Sequence, residues 1–300
     1  MPSCSGRVFV TGGTGLIGKE VVRCLLEEGF DVFALTRGND NPDCGVHWVG
    51  ADLFDSEAVA RELAAIKPEY LLNLAWCASG DYLTSPLNER FAQAGLELLK
   101  SFRRAGGRRA VYAGTCFEYA FKDEPLKETD SMDPMTPYAR CKNGLRIAAQ
   151  ECSDEAGLSF GWGRIFYAYG KNEHPKRLTA TIVNSLMCDQ PVEIRISQLR
   201  RDYIYTKDVA GAFVAFLKSD VKGVVNICTG RAISIGDFAA TFARVAGKEF
   251  LLNLRQEQTA QPPAIVGDTT RLRQEVGYHV RYSHEMAVRE ILESLLAVER

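Results

Sequence analysis

"VTGGTGLIG", residues 10–18, decides the fold of this chain. It closes a short apolar run, "RVFVTG" (7–12), and opens an amphipathic stretch from about Leu16 to Glu28 that Gly29 is well suited to stop. Gly13, Gly15 and Gly18 are spaced G-x-G-x-x-G, and counting from Gly12 gives G-x-x-G-x-x-G. Both spacings serve the same physics. A tight turn needs positive φ. A pyrophosphate needs close backbone approach, free N–H groups and the positive end of a helix dipole. Glycines alone say little, but between the first strand and first helix of an alternating chain they point to a dinucleotide. Gly12, Gly13, Thr14, Gly15, Leu16, Ile17 and Gly18 are the expected cradle.

The alternation continues outward. "DVFALT" (31–36), "VHWVGADL" (46–53), "YLLNLA" (70–75), "RAVYAGT" (109–115) and "LSFGWGRIF" (158–166) read as buried strands. Helical stretches fall between them, including about 88–105 and 138–155. Such a chain predicts an α/β fold, a doubly wound parallel Rossmann sheet with ligands at the carboxyl ends of its strands. After Gly170 the rhythm changes. Residues 1–170 read as the dinucleotide-binding domain and 171–300 mainly as a smaller, partly interleaved substrate lobe, with about 201–230 returning to the first.

Composition narrows the function. Of 300 residues, 46% are hydrophobic and 25% charged, and the net charge of −2 is spread along the chain. That argues against nucleic-acid and membrane partners. No apolar run approaches the roughly 20 residues of a bilayer span, and "MPSCSGRVFV" lacks signal-peptide features. Nine scattered cysteines without a C-x-x-C indicate buried thiols in a reducing compartment, so a cytoplasmic protein is expected. Four histidines lack ligand spacing, and no metal is expected.

Cofactor choice turns on the end of the second strand, "ALTRG" (34–38). An acid there would hold the ribose hydroxyls of NAD. Thr36 and Arg37 stand there instead, and a guanidinium suits a 2′-phosphate. NADP is favoured over NAD. Asp52, with Leu53 beside it, is the candidate for the adenine end.

"TPYARCK" (136–142) sets Tyr138 and Lys142 on one helical face. A nearby ammonium lowers a phenol's pKa. A phenol so tuned exchanges a proton with an alcohol oxygen while hydride moves at carbon. Thr115, ending the fifth strand, supplies a second hydroxyl.

At this point the chain resembles the extended short-chain dehydrogenases/reductases, the NAD-dependent epimerase/dehydratase group. The resemblance rests on "TGGTGLIG" (11–18), "ADL" (51–53), "AGTCFEYA" (113–120), "YARCK" (138–142), "GRIFYAYG" (163–170), "RRDYIYTKDVAGA" (200–212) and "VVNICTGRAISI" (224–235). It implies that Thr115, Tyr138 and Lys142 form a catalytic triad, with Lys142 also on the cofactor, and that the substrate is a nucleotide-linked sugar. It further implies Arg201 on the substrate's diphosphate or ribose, Tyr167 at the sugar pocket's edge, and a homodimer built on the helices at about 88–105 and 138–155. Lys176 and Arg177 read equally as substrate ligands or as solvated helix-start charges. Trp76 reads equally as a cap on the substrate pocket or as core.

Dehydratases of this family place acids directly after the catalytic hydroxyl. Here Cys116 and Phe117 follow, and Glu118 comes one place late, facing away if the strand continues. That leaves NADPH-dependent reduction of a 4-keto-6-deoxyhexose, which Thr36-Arg37 favours, or an epimerase with tightly bound NAD. A small-carbonyl reductase and a non-catalytic NADP sensor are the rivals outside this class. The chain departs from the family at Asn73, at Ala92 and in "CASGDYLTSPLN" (77–88).

Overall fold

The computed structural model describes residues 6–38, 45–77, 80–171 and 173–296. The chain begins β1 (Arg7–Thr11), α1 (Leu16–Glu27), β2 (Asp31–Thr36), β3 (Val46–Gly50), α2 (Ser56–Ile66) and β4 (Tyr70–Asn73). It continues α3 (Leu87–Arg104), β5 (Arg109–Thr115), α4 (Pro137–Ala156), β6 (Ser159–Ile165) and β7 (Tyr167–Tyr169). The remainder runs α5 (Leu178–Met187), β8 (Val192–Ile194), β9 (Arg200–Arg201), β10 (Tyr203–Tyr205), α6 (Thr206–Lys218), β11 (Gly223–Ile227), β12 (Ile233–Ser234), α7 (Ile235–Ala246), β13 (Leu252–Leu254), β14 (Ala264–Ile265), α8 (Thr270–Gln274) and α9 (His284–Leu296).

Among the described residues the main sheet has seven strands in the order β11-β6-β5-β4-β1-β2-β3, all parallel. The order reverses between β4 and β1. A crevice opens at such a reversal, outside the carboxyl ends of the strands. Apolar side chains cover both faces, as a parallel sheet requires. Val21, Val22 and Leu25 of α1 join Phe213 and Phe216 of α6 on one face. Leu63 of α2, Leu98, Leu99 and Phe102 of α3, and Leu145 and Ala149 of α4 cover the other.

Local chemistry sets the helix ends nearest the site. Thr136 caps α4, its hydroxyl accepting from Ala139 N at 3.1 Å. Pro137 sits in the first turn and Gly157 leaves the helix at φ 64°, as proline and glycine at those places favour. Asp55 caps α2 by accepting from Ala58 N at 2.9 Å.

The later chain divides its strands. β11 pairs with β6 in the main sheet. β9 and β10 do not enter that sheet: β9 lies between β12 and β14, and β10 pairs with β7. A third apolar cluster unites α5, α7 and α9 around Phe238, Phe242 and Ile291. This packing holds β9, and Arg201 with it, beside the carboxyl ends of β5 and β6.

Candidate active site

Two cavities of about 410 Å³ each meet over the carboxyl ends of the main strands. Both are lined by Ile17, Gly114, Tyr138, Ile165, Ala168 and Arg177. The first extends over β1 and β2 and is a cofactor cleft in form. Gly12, Thr14, Gly15, Leu16, Ile17 and Gly18 line it, with Thr36, Arg37, Asp52, Leu53, Trp76 and Lys142. The second runs toward β7, β9 and α5 and includes Thr115, Tyr167, Tyr203, Glu173, Arg201 and Gln261.

The loop fits a dinucleotide pyrophosphate on its own geometry. Gly12 has φ 73°, a region in which only glycine is comfortable. A Cβ on Gly18 would lie 1.9 Å from the Gly12 carbonyl oxygen. The α1 N-terminus has no side-chain cap, so its N–H groups face the cleft unclaimed by a cap. Gly13 does not line the cleft. A Cβ there would press on Ala34 and Val22, so it serves packing of the loop on β2 and α1.

Arg37 is exposed and lines the cleft beside Thr36. The Thr36 hydroxyl exchanges hydrogen bonds with Gly38, accepting from its N–H at 3.1 Å and donating to its carbonyl at 3.2 Å. Thr36 thus shapes the turn that carries Arg37. Asp52 likewise accepts from Phe54 N at 3.0 Å, turning the chain after β3 while lining the cleft.

Tyr138 is 9% exposed and starts α4, its N–H donating to Leu83 O at 3.0 Å. Its side chain is hydrogen-bonded to that of Thr115. Contrary to the expectation of a phenol drawn down by Lys142, the Tyr138 pKa is pushed up, first by burial and then by Tyr82. The Thr115 bond opposes that rise. The Lys142 ammonium donates to Ala113 O at 2.7 Å and lies 3.9 Å from the Trp76 ring centroid. Burial pushes Lys142 down to about 7.

Trp76 stacks on Phe91 and meets Tyr138 edge to face. It lines the cofactor cleft and not the substrate cavity. Buried Asn88 fixes this wall, accepting from Trp76 Nε1 at 2.8 Å and donating to Tyr82 O at 2.7 Å. Tyr82 in turn stands 5.0 Å, ring to ring, from Tyr138. Tyr82 and Asn88 were not singled out from the sequence. The only hint was the unusual "CASGDYLTSPLN" stretch that contains them.

β5 ends at Thr115, and a 3-10 turn, Cys116–Glu118, follows. The strand does not continue, so the alternation argument for Glu118 fails. Glu118 is fully buried, accepting from Thr115 N at 3.0 Å, Trp162 Nε1 at 2.9 Å and Arg164 Nε at 2.7 Å. It braces the end of β5. Cys116 is buried, and burial raises its thiol pKa.

On the substrate side Arg201 is 2% exposed and donates to Arg200 O, Pro262 O and Gln261 Oε1. It faces the Tyr167 ring at 5.7 Å. Arg177 donates to Ala168 O at 3.2 Å. Lys176 is exposed and lines neither cavity, because the start of α5 turns it outward. Asp202 holds the loop after β11, accepting from Thr229 N, Thr229 Oγ1 and Gly230 N. Among the described residues no His/Cys/Asp/Glu group could hold a metal ion, and no helix is long and apolar enough to cross a membrane.

A glycine cradle at the sheet reversal and a Tyr-Lys-Thr set beside it define a nucleotide-cofactor oxidoreductase site. The family profile described as "NAD dependent epimerase/dehydratase family" matches residues 8–228, and the chain belongs to that family. It is 26% identical to the dTDP-6-deoxy-L-talose 4-dehydrogenase (NAD(+)) of Aggregatibacter actinomycetemcomitans, covering 81% of this chain and 89% of that one. It is 27% identical to the UDP-glucuronate 4-epimerase of Thermodesulfobacterium geofontis, covering 81% and 82%. Its fold superposes on Thermus thermophilus UDP-glucose 4-epimerase, a complex with NAD, at a TM-score of 0.85, with 25% identity over 96% of this chain and 98% of that one.

Proposed function

We propose that this enzyme reduces a nucleotide-linked 4-keto-6-deoxyhexose with NADPH. The observation that carries the reading is the Tyr138–Thr115 side-chain pair, placed beside the wall common to the two cavities. A sugar carbonyl in the second cavity reaches these hydroxyls while a nicotinamide occupies the first. The nicotinamide, when bound, supplies hydride to carbon. Thr115 holds the carbonyl oxygen by hydrogen bonding, and Tyr138 delivers the proton that completes the alcohol. Lys142, held by Ala113 O and the Trp76 ring, stands on the cofactor side of the pair. Trp76, Phe91 and Tyr82 keep the reacting groups in an apolar surround.

Arg37 supports NADPH, and one relative, itself named for NAD(+), supports redox chemistry at position 4 of the sugar. Arg37 offers paired donors to a 2′-phosphate at the rim of the cofactor cleft. The dehydrogenase relative is named for chemistry at position 4 of a nucleotide-linked 6-deoxyhexose. The epimerase relatives favour a second reading, in which the same pair first removes a proton from the alcohol and then returns it. α3 and α4, with Leu87 and Ile147 exposed on them, are the faces on which a homodimer would form.

The test is NADPH oxidation over a panel of nucleotide-linked 4-keto-6-deoxyhexoses, with NADH alongside. Fast turnover of one member with NADPH supports the ketoreductase. Protein that purifies with bound NAD and reduces no member overturns the ketoreductase and favours the epimerase reading, which assay of C4 epimerisation then tests.

A further inference from the structure

Glu173 lies between β7 and α5, lines the substrate cavity, and has a side chain only 2% exposed. The carboxylate accepts from the Thr179 hydroxyl and from the N–H groups of Ala180 and Gly170. Thr179 and Ala180 belong to the first turn of α5, whose N-cap residue Arg177 supplies no side-chain cap. Glu173 therefore satisfies helix-end donors from outside the helix. Capping leaves a remainder, because Oε2 has no hydrogen-bond partner among the described residues.

Buried polar atoms are almost always paired, so an unpaired carboxylate oxygen at a cavity wall calls for a donor. The two neighbouring guanidinium groups bond elsewhere. Arg177 Nε lies 3.7 Å from Glu173 Oε1, and its Nη2 donates to Ala168 O. The Arg201 guanidinium is engaged by Arg200 O, Pro262 O and Gln261 Oε1. Burial pushes the carboxyl up to about 7, which shows how incompletely the protein alone compensates the charge. Glu173 also borders a smaller cavity of about 220 Å³ against α9, lined by Val183, Ile291 and Leu295. Lys171, Thr179, Asn184 and Ser294 also line it, but none of them is hydrogen-bonded to Oε2.

We propose that Glu173 is a specificity residue whose free oxygen accepts a ring hydroxyl of the sugar. This assignment rests on the nucleotide-sugar reading above. It goes further in naming the group recognised, a hydroxyl donor on the hexose rather than its nucleotide.

Binding of UDP-, dTDP-, GDP- and CDP-glucose, each with its 2-deoxy, 3-deoxy and 4-deoxy analogue, is titrated by calorimetry with cofactor present. Glu173→Gln binds the fully hydroxylated sugar about tenfold more weakly than the wild type, as loss of a hydrogen bond to a charged acceptor implies. One deoxy analogue binds both proteins equally. Glu173→Asp, which keeps the charge but retracts the oxygens, shows the same selective loss. Melting temperatures confirm that the variants fold. Equal affinity of wild type and both variants for every sugar overturns the assignment. A loss of the same size for every analogue also overturns it, since Glu173 then acts only by capping α5. If the wild type binds none of these sugars, the nucleotide-sugar reading falls and takes this assignment with it, an outcome distinct from the other two.

Discussion

The Lys142 ammonium sits 3.9 Å from the centroid of the Trp76 ring while donating to Ala113 O. A cation over an indole is attracted to the ring face, which partly offsets the burial that pushes Lys142 down to about 7. The group is charged below about 7 and neutral above it. Between that value and the ordinary 10.5, the unfolded chain binds the extra proton. Lys142 therefore costs stability at low pH, and the cost is relieved as pH rises through that window. Cofactor affinity should move the opposite way, falling as pH rises through about 7, because the cleft loses its ammonium. Fluorescence titration of NADPH across pH 6 to 9 reads this directly. Trp76→Phe keeps water out but offers a weaker ring, so its inflection should fall by less than about one pH unit. An unmoved inflection would show that the ring does not hold the charge.

Tyr138 poses a different question. Burial and Tyr82 both hold its phenol above the ordinary value. It therefore enters the reaction as a proton donor, which is the form that reduction of a carbonyl requires. Tyr138→Phe should lower kcat by roughly 10²- to 10⁴-fold, the range for loss of a positioned acid. NADPH affinity should stay within about twofold, since the aromatic ring that lines the cleft is kept and only its hydroxyl is lost. Thr115→Val should cost less, roughly tenfold or somewhat more, because it removes one neutral hydrogen bond. Single-turnover rates and cofactor titrations on both variants separate the two effects. Wild-type turnover by Tyr138→Phe would remove the phenol from the mechanism.

Glu118 should behave as a brace. It pairs with Arg164 at 2.7 Å inside the core and takes the Thr115 N–H. Leaving Arg164 without its carboxylate costs about 3–5 kcal/mol by the usual cost of breaking a buried pair. Glu118→Gln should therefore lower the melting temperature by many degrees, and activity should fall through displacement of Thr115. A variant as stable as wild type, but inactive, would instead place the carboxylate in the chemistry.

What the sequence made legible follows from local physics. The glycine loop, the strand–helix alternation and the Tyr138–Lys142 spacing are set by residues near one another in the chain. Their periodicity and φ demands are written there. Glu118 stays out of both cavities, but not by strand alternation, because β5 ends at Thr115, three residues before it. Lys176 and Arg177 are neighbours with similar side chains, yet the start of α5 turns one outward and the other to the junction of the cavities. Tyr82 gains its place against Tyr138, 56 residues away, which no short window of sequence carries. Asn88 and Glu173 are held by residues nearer in the chain, Trp76 and the first turn of α5, but in irregular loops whose conformation no periodicity announces.

Arg37 tests the cofactor choice most sharply. It stands exposed on the rim of the cleft, on the turn that Thr36 ties to Gly38. A guanidinium free to reach a 2′-phosphate contributes only when that phosphate is present. Arg37→Gln should thus raise KM for NADPH by about 10- to 100-fold, the range for a hydrogen bond between charged groups, while KM for NADH changes by less than about twofold. The NADPH preference should also shrink with added salt in the wild type, because exposed charge pairs are screened, and the variant should lose that salt dependence. Parallel loss with both cofactors would mean that Arg37 supports the turn rather than the phosphate. A wild type that prefers NADH from the outset would place this enzyme with the NAD users.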